Sequence, residues 1–158
     1  MTTTTFADYA AAAEARKDIA AKVLAHSLEL CEALRQNYIN YAIRMSKVSM
    51  SMDNGVDKKY YEERIAKLEK GICDVDFTLD TGRKYHKIWH LDSGGSRSCH
   101  AFIDKKTGEV YKPASYKAPA KGVRYNLLII KEREYLLNPA NCDWAGGYLY
   151  RNSSYFCS

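Results

Sequence analysis

Little in this sequence breaks or staples a chain. Its 158 residues include three prolines, nine glycines and an odd number of cysteines, five. No two of Cys31, Cys73, Cys99, Cys142 and Cys157 lie two residues apart, which argues against a disulfide framework and against a zinc knuckle. Reduced, mostly buried thiols are the expectation. No stretch approaches the roughly 20 consecutive apolar residues that a bilayer crossing requires. Met1–Thr5 lacks the basic start and apolar run of a secretory leader, so a soluble, intracellular protein is expected. The patterns GxxxxGK[ST], GxGxxG and GxSxG are missing, and with them the usual frames of nucleotide hydrolysis, dinucleotide binding and serine hydrolysis. Nothing supplies an acid–base pair, so the chain reads as a binding protein and not an enzyme, with no cofactor.

What is present begins with charge. The net charge of +5 is unevenly spread. Residues 1–82 hold 11 basic and 13 acidic side chains, residues 83–124 hold 10 and 3, and residues 125–158 hold 3 of each. All of the positive excess therefore lies in one segment, which points to an anionic partner, phosphate being the commonest. A solvated basic surface without a ligand is the competing explanation.

The first third reads as one long helix. Cys31, Leu34, Tyr38, Tyr41, Met45, Val48 and Met52 alternate steps of three and four, the spacing of a helix–helix seam. The stripe continues upstream through Ser27 and Leu24 into an alanine-rich stretch, and a helix of this length favours contact with a second copy. Asp53-Asn54-Gly55 ends it. Asp57 is read as the N-cap of a second helix carrying Tyr61, Ile65 and Leu68, with Gly71 just past its end. From Ile72 the period becomes two. Tyr85, Lys87, Trp89 and Leu91 alternate with His86, Ile88 and His90 as in a half-buried strand. Residues 97–104 and 109–112 flank Lys105–Gly108, a hairpin with Gly108 at positive φ. Residues 127–137 fit a strand or a helix, and Tyr148–Tyr150 a short edge strand. The fold class is α+β: a helical hairpin, residues 1–71, packed against a small antiparallel sheet, residues 72–158, in one compact domain.

Residues 100–126 carry the candidate chemistry. Lys112, Lys117, Lys121 and Arg124 are separated by Pro113, Pro119, Gly122 and alanines, residues that hold a backbone extended and let it approach a ligand closely. Cations spaced along such a loop suit phosphate, which arginine grips through two oxygens. Tyr111, Tyr116 and Tyr125 offer rings for stacking on a base, and Asn126 the donor and acceptor that complement an adenine edge. His100 and Phe102, on the preceding strand, complete the candidate set. The same loop also fits a solvated crossover whose tyrosines plug the core edge. Three histidines, His86, His90 and His100, more often serve as strand residues than as zinc ligands, and no metal is expected.

The run from Cys99 to Asn126, followed by Trp144-Ala145-Gly146-Gly147-Tyr148-Leu149-Tyr150-Arg151, resembles a pattern in small accessory proteins of tailed bacteriophages. There an H-x-F strand leads to a TG hairpin, then V-Y-K-P-A-S-W-K-A-P-A-K-G-x-R-x-N, then a G-x-Y-L-Y-R close. It is also similar to the phage anti-Thoeris proteins, helix-plus-sheet oligomers that sequester cyclic nucleotide signals without cleaving them. That resemblance implies a ligand such as glycocyclic ADP-ribose or a cyclic oligonucleotide, captured in the host cytoplasm. It also implies roles for Tyr116 (or Phe102) on adenine, Asn126 on ribose or base, and Arg151 on the pyrophosphate. Two other functions stay open: a nucleic-acid-binding module using the basic 83–124 segment, and a structural or inhibitory phage protein acting through its helical seam.

Overall fold

The computed structural model describes residues 3–150. Helix α1 (Phe6–Met52) opens on a capping box: the Asp8 amide donates to Thr5 Oγ1 at 3.1 Å, while Asp8 Oδ2 accepts from the Thr5 amide. The helix ends at Asp53, where Asn54 (φ 57°) and Gly55 (φ 82°) turn the chain through left-handed backbone. No α1 residue before Val23 is buried, and Phe6 and Tyr9 stand 84% and 61% exposed. The first turns thus extend beyond the body. From Val23 one face buries Leu30, Cys31 and Leu34, with Ser27 accommodated because its hydroxyl donates back to the Val23 carbonyl at 2.7 Å. The expected seam is buried at Cys31 and Leu34, half-buried at Tyr38 and Tyr41, and exposed at Met45, Val48 and Met52.

Helix α2 (Lys58–Glu69) returns along α1, and Leu68 packs on Ile39 and Ala42. Asp57 occupies the N-cap position without capping through its side chain; Asp53 instead accepts from the Asp57 amide. Arg35 donates to the Gly71 carbonyl at 2.6 Å and lies 3.7 Å from Asp76, fixing the hairpin to the start of the sheet.

The sheet is a five-stranded antiparallel meander, β1 (Asp76–Thr81), β2 (Tyr85–Leu91), β3 (Arg97–Asp104), β4 (Glu109–Tyr111) and β5 (Tyr125–Asn126), paired in sequence order. Strand alternation sends Phe77, Ile88, Ala101, Ile103 and Val110 toward α1, where they meet Leu30 and Leu34 in one core. Each of the larger of these side chains, Ala101 excepted, contributes about 1.5–3 kcal/mol once fully buried. One bulge interrupts the ladder: Ile88 faces Ala101 but Trp89 faces Cys99, leaving His100 without an opposite number. The bulge lets both His100 and Ala101 lie buried while Cys99 keeps the outward phase.

Two segments differ from the sequence expectation or resolve it. Residues 130–136 are a helix, α3 (Ile130–Leu136): Asn126 Oδ1 accepts from the Leu128 amide and Glu132 Oε1 from the Asn126 amide, which turns the chain out of the ladder. Residues 147–149 form a 3-10 turn and not an edge strand, because Asp143 accepts from the Ala145 and Gly147 amides and Gly146 adopts φ 89°. Asn37 bonds the Pro139 carbonyl and the Trp144 amide, and Tyr38 and Tyr41 pack on the Trp144 ring, tying this end to α1.

Candidate functional site

The face of the sheet turned away from α1 is built from the other strand phase. Tyr85, Lys87 and Trp89 come from β2, Arg97, Cys99 and Phe102 from β3, and Tyr111 from β4. Register sets Lys87 beside Phe102 and Phe102 beside Tyr111, with Trp89 beside Cys99. Cations and rings then interleave. Lys87 Nζ sits 5.1 Å from the centroids of both Trp89 and Phe102, and the Arg97 guanidinium lies 4.2 Å over Trp89. Tyr85 meets Phe102 and Tyr111 edge-on.

The segment after β4 folds back over this face. Pro113 and Pro119 form an isolated bridge, the Ala120 amide donates to the Lys112 carbonyl at 2.7 Å, and the Ala114 and Ser115 amides share the Ala118 carbonyl. Proline carries no N–H, so neighbouring alanines and Ser115 close the bend. Lys87 donates to the Tyr116 carbonyl and latches the tip to the sheet. Between the bend and the sheet lies an outer cavity of about 490 Å³ with Trp89, Arg97, Ser98, Cys99 and Pro113–Tyr116 on its walls. Tyr116 is 60% exposed there. Trp89 is only 8% exposed, and its buried Nε1 has no hydrogen-bond partner among the described residues.

Strand β4 pairs with β3 only at Phe102 and Ile103, so Lys112 and Pro113 diverge from β3 alongside Cys99 and His100. The split opens an inner cavity of about 280 Å³, walled by His90, His100, Lys112, Trp144, Tyr150 and neighbours. Ser98, Cys99 and Pro113 wall both cavities. His100 Nε2 pairs with the Tyr148 hydroxyl at 2.8 Å, and burial, helped by nearby His90, pushes its pKa down to about 3. It is neutral at physiological pH. His90 stacks on Phe77 with centroids 4.9 Å apart; burial lowers its pKa against the opposing pull of Asp92. The buried His90 Nε2 has no hydrogen-bond partner among the described residues. Burial raises the Cys99 thiol to about 11, despite Lys87 nearby, so it is no thiolate at neutral pH.

The residues singled out from sequence scatter over these features. Tyr116 walls the outer cavity, and Lys117 reaches back over the Tyr116 ring at 5.5 Å. Lys112 and His100 wall the inner one, with Lys112 Nζ 3.9 Å from the Tyr150 centroid. Phe102 is buried under Lys87, which makes it support for the outer face and not a free stacking surface. Arg124 donates to the Lys121 carbonyl, and neither residue walls the two cavities. Asn126 spends its side-chain oxygen on the Leu128 amide. Arg151 lies outside the described residues. The four loop cations therefore do not converge on one point. Trp89, Arg97, Lys87 and His90 were not among the candidates, although the alternation of β2 already placed Lys87 and Trp89 on one face and His90 on the other. No group of three or more His, Cys, Asp or Glu side chains arranged for a metal ion occurs among the described residues. No helix is long and apolar enough to cross a membrane, again among the described residues.

A family model described as a family of unknown function (DUF7717) matches residues 6–151, and the chain belongs to that family. No curated protein and no solved structure matches.

Proposed function

We propose that this member of DUF7717 binds a small phosphorylated aromatic ligand, of the nucleotide class, at the outer cavity and holds it without turning it over. The observation that carries the reading is the placing of the Arg97 guanidinium against Trp89 in a cavity that the exposed Tyr116 also walls. A guanidinium is suited to two phosphate oxygens, and Tyr116 gives a base a face to stack on. The cavity volume lies within the roughly 300–1,000 Å³ of small-ligand sites. Binding without turnover is supported by the state of nearby groups: Cys99 stays a thiol, and His100 is neutral and already bonded to Tyr148. Capture of a cyclic nucleotide signal in an infected cell is the setting that the phage resemblance supplies for such a binder.

The test is a thermal-shift screen with calorimetry against AMP, ADP, glycocyclic ADP-ribose isomers and cyclic oligonucleotides. A ligand at about 100 times its Kd adds about 2.7 kcal/mol, raising the Tm of a domain this size by roughly 5–10 °C. Arg97→Ala is expected to lose most of that rise. No shift with any of these ligands refutes the reading.

A second reading rests on Lys84 and Arg97 on the outer face, with Lys117 beside the exposed Tyr116 ring, which also suit single-stranded nucleic acid laid across that face. It requires binding that weakens steeply with salt, measured by gel shift at two salt concentrations.

A further inference from the structure

We infer that the inner cavity is an anion subsite of the same ligand, taking a phosphate group between Lys112 and His90 while the ring occupies the outer cavity. The inference deepens the nucleotide reading and rests on it for the ring end only. Its first support is size. At about 280 Å³ the inner cavity falls just short of the volume that small-ligand sites occupy, so it suits one group and not a whole ligand.

Its second support is unmet hydrogen-bonding capacity. The buried Nε2 of His90 has no partner among the described residues, and a buried polar atom in that state calls for one. Lys112, the one lysine or arginine on this wall among the described residues, rests over the Tyr150 ring, a contact that gives its ammonium no hydrogen-bond acceptor. Nearby polar atoms already have partners: His100 Nε2 is paired with Tyr148, and Asp92 Oδ1 takes the Gly94 and Ser96 amides. Both residues wall the same cavity, and an oxyanion held there is the partner assigned to them.

Its third support is connection. Ser98, Cys99 and Pro113 wall both cavities, because β4 leaves β3 after Phe102 and opens the sheet there. A ligand reaching from one to the other passes the unpaired edge of β3. The ligand class follows: a nucleoside phosphate or a cyclic dinucleotide-like diester, not a free base or nucleoside.

The experiment follows the His90 ring nitrogens by NMR in the full chain, with inorganic pyrophosphate, adenosine and AMP as probes. Pyrophosphate alone is expected to shift the His90 signals in the parent and in Arg97→Ala, and to lose that effect in Lys112→Met. Lys112→Met and His90→Phe, the latter keeping the stack on Phe77, are each expected to weaken AMP by roughly tenfold and leave adenosine unchanged. The inference is overturned if pyrophosphate leaves the His90 signals unmoved at millimolar concentration, or if both variants bind AMP as the parent does. A pyrophosphate response with no binding of adenosine or AMP keeps the anion subsite and refutes the nucleotide reading of the outer cavity.

Discussion

Acid should weaken this fold through His100 before its carboxylates titrate. The ring is 7% exposed, its Nε2 is held by Tyr148, and its folded pKa is pushed down to about 3 from an unfolded value of 6.5. Between those values the unfolded chain binds a proton that the folded chain refuses, so stability rises with pH and is lost as pH falls below about 6.5. The difference at about pH 5 relative to neutral pH is about 2 kcal/mol from this one group. With a urea m-value of about 2 kcal/mol/M, the unfolding midpoint drops by about 1 M. His86 and His90, whose pKa values burial also lowers, act in the same direction. Urea titrations from about pH 7.5 to about pH 5 on the parent and on His100→Gln isolate the imidazole's contribution, because glutamine cannot titrate and ordinary carboxylates remain ionised over that range. The variant is expected to show the shallower dependence. Parallel slopes for the two proteins would refute a buried, neutral His100.

Other substitutions test the fold more directly. Ile103→Ala empties a position with no exposure beneath α1 and is expected to cost about 2–5 kcal/mol in chemical denaturation. Gly108→Ala places a Cβ 3.0 Å from Leu128 Cγ on backbone at φ 75°, and a loss of about 1–2 kcal/mol should lower Tm by about 2–8 °C. Thr5→Ala removes the capping box, worth about 1 kcal/mol to the helix end. Hydrogen exchange is expected to accelerate over residues 6–22 while the global unfolding midpoint stays put, since nothing there is buried. A global shift would mean that the early turns pack against the body.

Local chemistry made much of the architecture readable. Strand β3 could be bounded at residues 97–104 because Gly94-Gly95 and the Lys105–Gly108 turn punctuate it on both sides. The α1 seam announced a helix but not its cover, since an apolar stripe repeats identically whether a sheet, α2 or solvent faces it. Asn126 shows local competition: its amide matches a base edge, yet a bond to the amide two residues on is closer to hand. Tyr148–Tyr150 carried a strand-like composition that the Asp143 carboxylate overrode by gathering the Ala145 and Gly147 amides. The site itself was hidden for a different reason. Trp89 becomes a cavity wall only when a bend some 25 residues later folds back and is held by Lys87, and no window along the chain contains both events.

The bulge on β3 means that this sheet counts one residue more than its pairing needs. Ile88 and Trp89 would still meet Ala101 and Cys99 in a regular ladder if His100 were absent. Deleting that single codon therefore subtracts an imidazole while leaving every other side chain of the strand on the face it already occupies.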